Sequence, residues 1–423
     1  IPDLYNNIPD QKNQALWIDV FIPEDRKSAP PGRYTGNIDV TSKAGAKETL
    51  QVSLQVWDFA LPQENHLPGD IWNGSMANMP PDEELLYYQL AQQHRFLPLV
   101  YAYRPKLSVQ GSKVQLDWAE YDRRVARYLD GSAFTAKHGY WGPGYGVPVH
   151  HMMLPFDIEK HGNTQRAWPM ALPKEGRTPE YETVWKQVAS QVRAHLDSQP
   201  AWRKVQKIAF LDGLDESYDE TSYEKMIYYG NLLHGALGRG WFKYRVDGGY
   251  SREAMAKLQP QVDLWVCHSV AFDLLVVNEY RQKSVETWFY GPMIYEQRKN
   301  SGCGSNTFLD LDLSVNRAIG WIGWKYRAGW VEWEFDWNAY ASWYEAENFK
   351  EPERIYNGSG QLIYRGAVMG YRGPIPSIRL KAQRRGLQDY EYFWLLAKQT
   401  GSSEASDRLV NRVIYKKPFG EIQ

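Results

Sequence analysis

The stretch Val205-Gln206-Lys207-Ile208-Ala209-Phe210-Leu211-Asp212-Gly213-Leu214-Asp215-Glu216-Ser217 passes from an apolar run into a cluster of acids. A short apolar run, ended by a glycine break and followed by a helical pattern from about Thr221, reads as a buried strand feeding a turn and then a helix. The turn delivers its carboxylates at the strand's C-terminal end.

Working outward, the same rhythm repeats. Short apolar runs at residues 70–72, 96–100, 149–154, 205–211, 242–246, 264–266, 287–290 and 320–324 are separated, in most cases, by amphipathic segments such as 82–94, 118–129, 181–196, 223–237 and 252–258. Eight such units predict an α/β fold, a TIM-like (β/α)8 barrel carrying insertions, with a doubly wound open sheet as the alternative. Before Leu61-Pro62 the pattern is different. Trp17-Ile18-Asp19-Val20-Phe21-Ile22, then residues 33–40 and 49–57, alternate with period two, as antiparallel strands of a sandwich do. Residues 1–62 are therefore expected to be the end of an N-terminal β-sandwich whose earlier strands precede Ile1, and residues 63–423 the barrel with its C-terminal region.

Composition narrows the chemistry. With 49 basic and 50 acidic residues the formal charge is −1, and no Lys/Arg block concentrates a positive field, so neither nucleic acid nor an anionic membrane is an expected partner. No stretch is long and apolar enough to span a bilayer. The two cysteines, Cys267 and Cys303, lack CxxC spacing, and a single bridge between them is the one disulfide the chain allows. The 9 His show no HExxH spacing, so no metal and no cofactor is called for. GxSxG, Walker and GxGxxG turns are absent, which leaves carboxylate chemistry. The chain is rich in Trp (18) and Tyr (29), whose flat apolar faces and polar edges suit a sugar ring as well as a core. The loop Tyr140-Trp141-Gly142-Pro143-Gly144-Tyr145-Gly146 precedes a strand rather than a helix and reads as a surface loop, not a phosphate cradle.

Barrels of this class carry their chemistry where strands run into the following loops. That rule selects Asp215 and Glu216, the alternative being that one of them caps the next helix. It also selects Trp288 and Tyr290 at one strand end, Trp324 at the next, Trp333 in the adjoining loop, and His268 and Asn73 at two others.

Several stretches resemble glycoside hydrolase family 123. Gln14-Ala15-Leu16-Trp17-Ile18-Asp19-Val20-Phe21-Ile22-Pro23 with Pro31-Gly32-Arg33-Tyr34-Thr35-Gly36 is similar to the end of that family's N-terminal sandwich. Pro374-Ile375-Pro376-Ser377-Ile378-Arg379-Leu380 and Arg385-Gly386-Leu387-Gln388-Asp389-Tyr390-Glu391-Tyr392 resemble the C-terminal region it shares with uncharacterised relatives. Trp321-Ile322-Gly323-Trp324-Lys325 and Gly329-Trp330-Val331-Glu332-Trp333 fit the same pattern. The resemblance implies a retaining β-N-acetylgalactosaminidase-like enzyme in which the 2-acetamido group of the substrate is the nucleophile and a neighbouring Asp-Glu pair assists. Asp215-Glu216 match that pair, and Ser217 stands where relatives often carry Pro. Asp215 is then expected to orient the acetamido N–H and Glu216 to retain a proton and act as acid and base, with Tyr290 the best-placed donor to the acetamido carbonyl. A glycan or glycoconjugate substrate implies a periplasmic or secreted protein. Two other readings stay open: a retaining hydrolase of non-acetamido sugars, with Glu332 or Glu334 as its nucleophile, and a glycan-binding protein without catalysis.

Overall fold

The computed structural model describes residues 16–72, 76–111, 113–268, 274–291, 309, 311–333, 335, 350–351, 354–355, 358 and 361–414. It comprises two compact units, Ile1–Gln63 and Glu64–Gln423.

In the first unit, Gly32–Thr41 and Lys47–Val56 pair antiparallel along their whole length, Gly32 opposite Val56 and Thr41 opposite Lys47. Because side chains alternate along a strand, Tyr34, Ile38, Val40, Leu50, Val52 and Leu54 share one face, while Arg33, Thr35, Asn37, Asp39, Gln51, Ser53 and Gln55 share the other. Residues 17–22 form neither strand nor helix. What is seen of the expected sandwich is thus a two-stranded amphipathic ribbon.

The second unit is a (β/α)8 barrel. Its strands are β1 (Gly69–Ile71), β2 (Leu99–Val100), β3 (His151–Met153), β4 (Gln206–Phe210), β5 (Lys243–Val246), β6 (Leu264–His268), β7 (Glu286–Tyr290) and β8 (Gly329–Glu332). They run parallel and in chain order around the sheet, with β8 pairing back onto β1. The remaining seam closes where Ile71 bridges to Pro98 and its N–H donates to Leu97 O at 3.1 Å. That closure excludes the open doubly wound sheet.

Helices α1 (Pro81–Gln93), α2 (Ala119–Leu129), α3 (Pro179–Asp197), α4 (Glu220–Leu237), α5 (Arg252–Leu258), α6 (Leu274–Gln282), α7 (Leu313–Tyr326) and α8 (Ile378–Thr400) follow β1 to β8 in turn, and α9 (Glu404–Val413) ends the described chain. Four of them start on a side-chain cap: Thr178, Asp219, Ser251 and Ser377 accept from the N–H of Tyr181, Ser222, Ala254 and Leu380. Each cap satisfies an amide that the helix itself leaves without a partner. Between β2 and α2 a hairpin, Lys106–Gln110 with Lys113–Asp117, is inserted.

The barrel interior is filled by Leu99, Met153, Ile208, Phe210, Leu264, Val266, Trp288 and Val331, the layered packing that a closed barrel of this size requires. One expectation is overturned. Residues 320–324 are not a strand but part of α7; the last strand is Gly329–Glu332. The run is apolar because α7 is buried along much of its length, and a short apolar run does not distinguish a buried helix from a strand. No helix among the described residues is long and apolar enough to cross a membrane.

Candidate active site

Beyond the end of β4 the chain enters a 3-10 turn, Asp212–Leu214, and then presents Asp215 and Glu216 in succession. Gly213 is required here by close approach: a Cβ would lie 2.6 Å from Ile158 Cγ1 and 2.8 Å from Ile158 O. Its N–H donates to Asp157 Oδ1 at 3.0 Å, tying the turn to the loop that follows β3. Glu216 sits in the left-handed region at φ 49°, a conformation costing a non-glycine residue about 1 kcal/mol or more. Its N–H donates to Asp247 O at 2.8 Å, so the end of β5 helps to hold it. The left-handed residue breaks the strand alternation and sends the two carboxylates into different surroundings.

Asp215 is partly buried in a mixed-charge cluster. Lys160 Nζ, from the loop after β3, reaches Asp215 Oδ2 at 3.3 Å and Asp212 Oδ1 at 3.4 Å, and Arg166 pairs with the other oxygen of Asp212. Beneath them, inside the barrel, Arg245 of β5 donates twice to Asp247 (2.8 and 2.6 Å) and once to Asp70 of β1 (3.0 Å), with its guanidinium over the Phe210 ring. Burial, then the Asp247 charge, pushes the Asp215 carboxyl up to about 7, although Lys160 pulls the other way. Burial alone would lower Lys160, but Asp212 and Asp215 hold it above the ordinary lysine value. Glu216 is exposed and accepts from the Tyr290 hydroxyl. The sequence places the proton that two neighbouring carboxylates retain on Glu216; the surroundings drive Asp215 toward neutrality.

Tyr290 ends β7, its hydroxyl 3.5 Å from that of Tyr250, which in turn donates to Val266 O at 3.1 Å. His268, at the end of β6, meets the Tyr290 ring edge-on with centroids 4.8 Å apart, and burial lowers its pKa. Trp333 follows β8 and is half-buried. Tyr290 and His268 thus join Glu216 at the C-terminal face, and Trp333 leaves the last strand at the same end.

The other predicted residues do not. Trp288 is fully buried in the barrel interior, where its indole N–H donates to Glu286 Oε1 at 2.6 Å toward the opposite end of the strand. It lies two residues below Tyr290 on the same face of β7, so it packs the core under the cleft rather than walling it. Trp324 is not at a strand end at all: it lies on α7, with its N–H on Asp407 Oδ1 at 2.8 Å. Asn73 and Glu334 lie outside the described residues. Glu332 is fully buried and accepts from Gln383 of α8 at 2.8 Å, so it faces the helix layer and not the cleft. Cys267 is buried in β6, and Cys303 lies outside the described residues.

Sequence reasoning missed Trp72 and Tyr101, which follow β1 and β2, lie with ring centroids 4.6 Å apart and planes tilted by 42°, and rest on the interior cluster. It also missed Asp247, Tyr250 and Tyr218, whose hydroxyl is pushed up to about 12, chiefly by burial. Trp72, Tyr101 and Asp247 each follow a barrel strand directly, so the rule that found Tyr290 applies to them too. Lys160 comes from a long loop and carries no such signal. Among the described residues, no group of three or more His, Cys, Asp or Glu side chains is arranged to hold a metal ion.

Residues 110–396 match the family described as glycoside hydrolase 123, catalytic domain. No curated protein matches the sequence. Among solved structures, the chain is similar to a family 39 glycoside hydrolase from the gut symbiont Bacteroides cellulosilyticus WH2, with 11% identity over 79% of this chain and 67% of that one, and a TM-score of 0.39. It is also similar to a β-glucuronidase from Ruminococcus gnavus, with 10% identity over 84% of this chain and 56% of the other, and a TM-score of 0.34.

Proposed function

The chain belongs to glycoside hydrolase family 123, and on that premise we propose that it releases β-linked N-acetylgalactosamine from glycans by substrate-assisted, retaining hydrolysis. The observation that carries this reading is the pair of adjacent carboxylates beyond β4 in unequal surroundings, Asp215 among charges and Glu216 exposed beside Tyr290.

The acetamido N–H of the bound sugar donates to ionised Asp215, and its carbonyl oxygen attacks the anomeric carbon. The glycosidic C–O bond breaks as Glu216 gives its proton to the departing oxygen, leaving a cyclic oxazolinium whose positive charge Asp215 stabilises. Water then attacks the anomeric carbon while Glu216 takes back a proton, the ring opens to the acetamide, and the β-configuration is retained. A donor arriving at Asp215 favours its charged form, so substrate binding transfers the proton shared by the pair to Glu216, where it is needed. Tyr290, which donates to Glu216, is the donor we assign to the acetamido carbonyl.

Of the two residues that could serve a rival with a protein nucleophile, Glu332 is held by Gln383 of α8, and Glu334 lies outside the described residues. Kinetics distinguish the two mechanisms. Glu216→Gln should slow a 2-acetamido glycoside with a natural-type leaving group far more than its nitrophenyl analogue, which departs with little protonation. Asp215→Asn should slow both by about 10²-fold or more, and a thiazoline mimic of the cyclic intermediate should inhibit the wild type. Equal leaving-group dependence of the two variants, without thiazoline inhibition, would overturn the assisted mechanism. A wild type that prefers 2-hydroxy glycosides would overturn the substrate. We further read the ribbon as two strands of a β-sandwich and the protein as extracytoplasmic, consistent with a glycan substrate; a crystal structure and cell fractionation test these two points.

A further inference from the structure

The loop 140–146 lies between α2 and β3, and loops that lead into strands emerge at the N-terminal face of the barrel, opposite Asp215 and Glu216. It holds two aromatic side chains out in solvent: Trp141 is 70% exposed and Tyr145 46%. Their ring centroids are 6.3 Å apart with planes inclined by 34°, which makes a shallow two-ring platform.

The loop is braced on all sides. Tyr140 is buried edge-on against Phe134, and its hydroxyl donates to Pro143 O. From the end of α1, the Gln92 amide donates to Gly144 O at 3.1 Å and the Gln93 amide to Trp141 O at 3.5 Å. Gly146 N–H donates to Phe134 O at 2.8 Å and Val147 N–H to Gly144 O at 3.0 Å, while Tyr145 OH accepts from Ala136 N–H at 3.1 Å. Gly144, at φ 71°, admits no side chain, since a Cβ would lie 2.2 Å from Gln92 Nε2. Two large rings are thus pre-ordered in water, which lowers the cost of binding something to them.

We propose that this loop is a second glycan-binding site, in which Trp141 and Tyr145 stack on the apolar faces of sugar units of an extended glycan while the catalytic cleft works elsewhere on the chain. The dimensions favour a sugar over other partners. Two rings make too small a patch for a stable protein interface, and residues 140–146 carry no basic side chain to attract an anionic membrane or a nucleic acid. A flat aromatic face with a polar edge suits a ring that is apolar on one side and hydroxylated at its rim.

The test uses native affinity electrophoresis of the whole chain in gels containing desulfated chondroitin, with chitohexaose as a soluble competitor. The wild type should be retarded, and the Trp141→Ala/Tyr145→Ala double variant should lose at least about fivefold in apparent affinity. Trp141→Phe, which keeps a ring, should be retarded nearly as the wild type is. Turnover of a nitrophenyl 2-acetamido glycoside should be the same for all three. Absence of wild-type retardation, equal retardation of the double variant, or a change of sedimentation coefficient without a change in retardation would each overturn the proposal, the last by pointing to contact between copies. Failure of the wild type to cleave the nitrophenyl substrate would count against the hydrolytic reading and leave the retardation result standing.

Discussion

Asp215 lies between opposing charges, and the balance has a sign that experiment can read. Its carboxyl is pushed up to about 7, with burial and Asp247 raising it, Lys160 lowering it, and Asp212 and Glu216 adding to the rise. The reaction needs one proton on the pair, which the free enzyme holds at Asp215, so kcat/KM, which reports the free enzyme, falls as pH rises through about 7. Lys160→Met removes the attractive charge and should move the kcat/KM limb upward; Lys160→Arg should keep it in place. A limb unmoved by Lys160→Met would show that the ion pair does not control Asp215. Stability should follow the same logic. A carboxyl with a raised folded pKa contributes stability below its unfolded value near 3.8 that is lost as pH rises through about 7. Asp215→Asn should therefore melt with the wild type at pH 4 and a few degrees above it at pH 8; melting curves that coincide at pH 8 would mean that the carboxylate is better solvated than its surroundings indicate. At this scale the acid pair was legible because it follows a strand and a glycine break. Lys160 was not, since nothing in a loop's sequence says which strand end it returns to.

At the level of elements, α7 and α8 have one of the closest contacts in the fold. Gly320 and Gly386 meet backbone to backbone: a Cβ on Gly320 would lie 1.9 Å from Gly386 O, and one on Gly386 would lie 2.0 Å from Arg317 O. Around this contact Asp389 accepts a two-pronged bond from Arg317 (2.6 and 2.9 Å) and one from the Trp321 indole at 2.7 Å. The glycines let the helices approach closely enough for these bonds to form. Gly386→Ala should thus lower Tm and shift the denaturant midpoint by more than the propensity gain of about 1 kcal/mol that Gly→Ala gives in a helix interior. A variant more stable than the wild type would show that the two helices separate easily. The same glycines explain why residues 320–324 read as a strand. A short apolar run with glycine and tryptophan looks the same whether it packs as a helix against a neighbouring helix or as a strand in a barrel, whereas β4 was clear because its flanks were. The helices α2, α3 and α5 were legible for a simpler reason, that their polar faces reach solvent and leave a periodicity to read.

Over the whole molecule, the two units differ in how well each accounts for its own stability. Every strand and helix of the barrel comes from residues 69–400, its sheet closes on itself, and its interior and helix layer are filled from residues 67–414. The unit Ile1–Gln63 offers a ribbon whose apolar face leaves Tyr34, Val40, Leu50 and Val52 exposed, with Trp17, Phe21 and Trp57 exposed beside it. Two strands with one uncovered face are marginal by themselves in water, whereas a closed barrel with a filled interior has what a domain needs to fold alone. A protease at low concentration should accordingly cut within residues 16–63 before it cuts the barrel. A chain beginning at Glu64 should retain cooperative unfolding and hydrolyse a nitrophenyl 2-acetamido glycoside with kcat/KM within about threefold of the intact chain, because both carboxylates and their neighbours lie beyond that point. Mass spectrometry of the first fragments and kinetics of the shortened chain check the two halves of this expectation. Early cuts inside the barrel, or a shortened chain that folds but loses activity, would mean that the first unit takes part in the working structure, and its apolar face would then be the place to look for how.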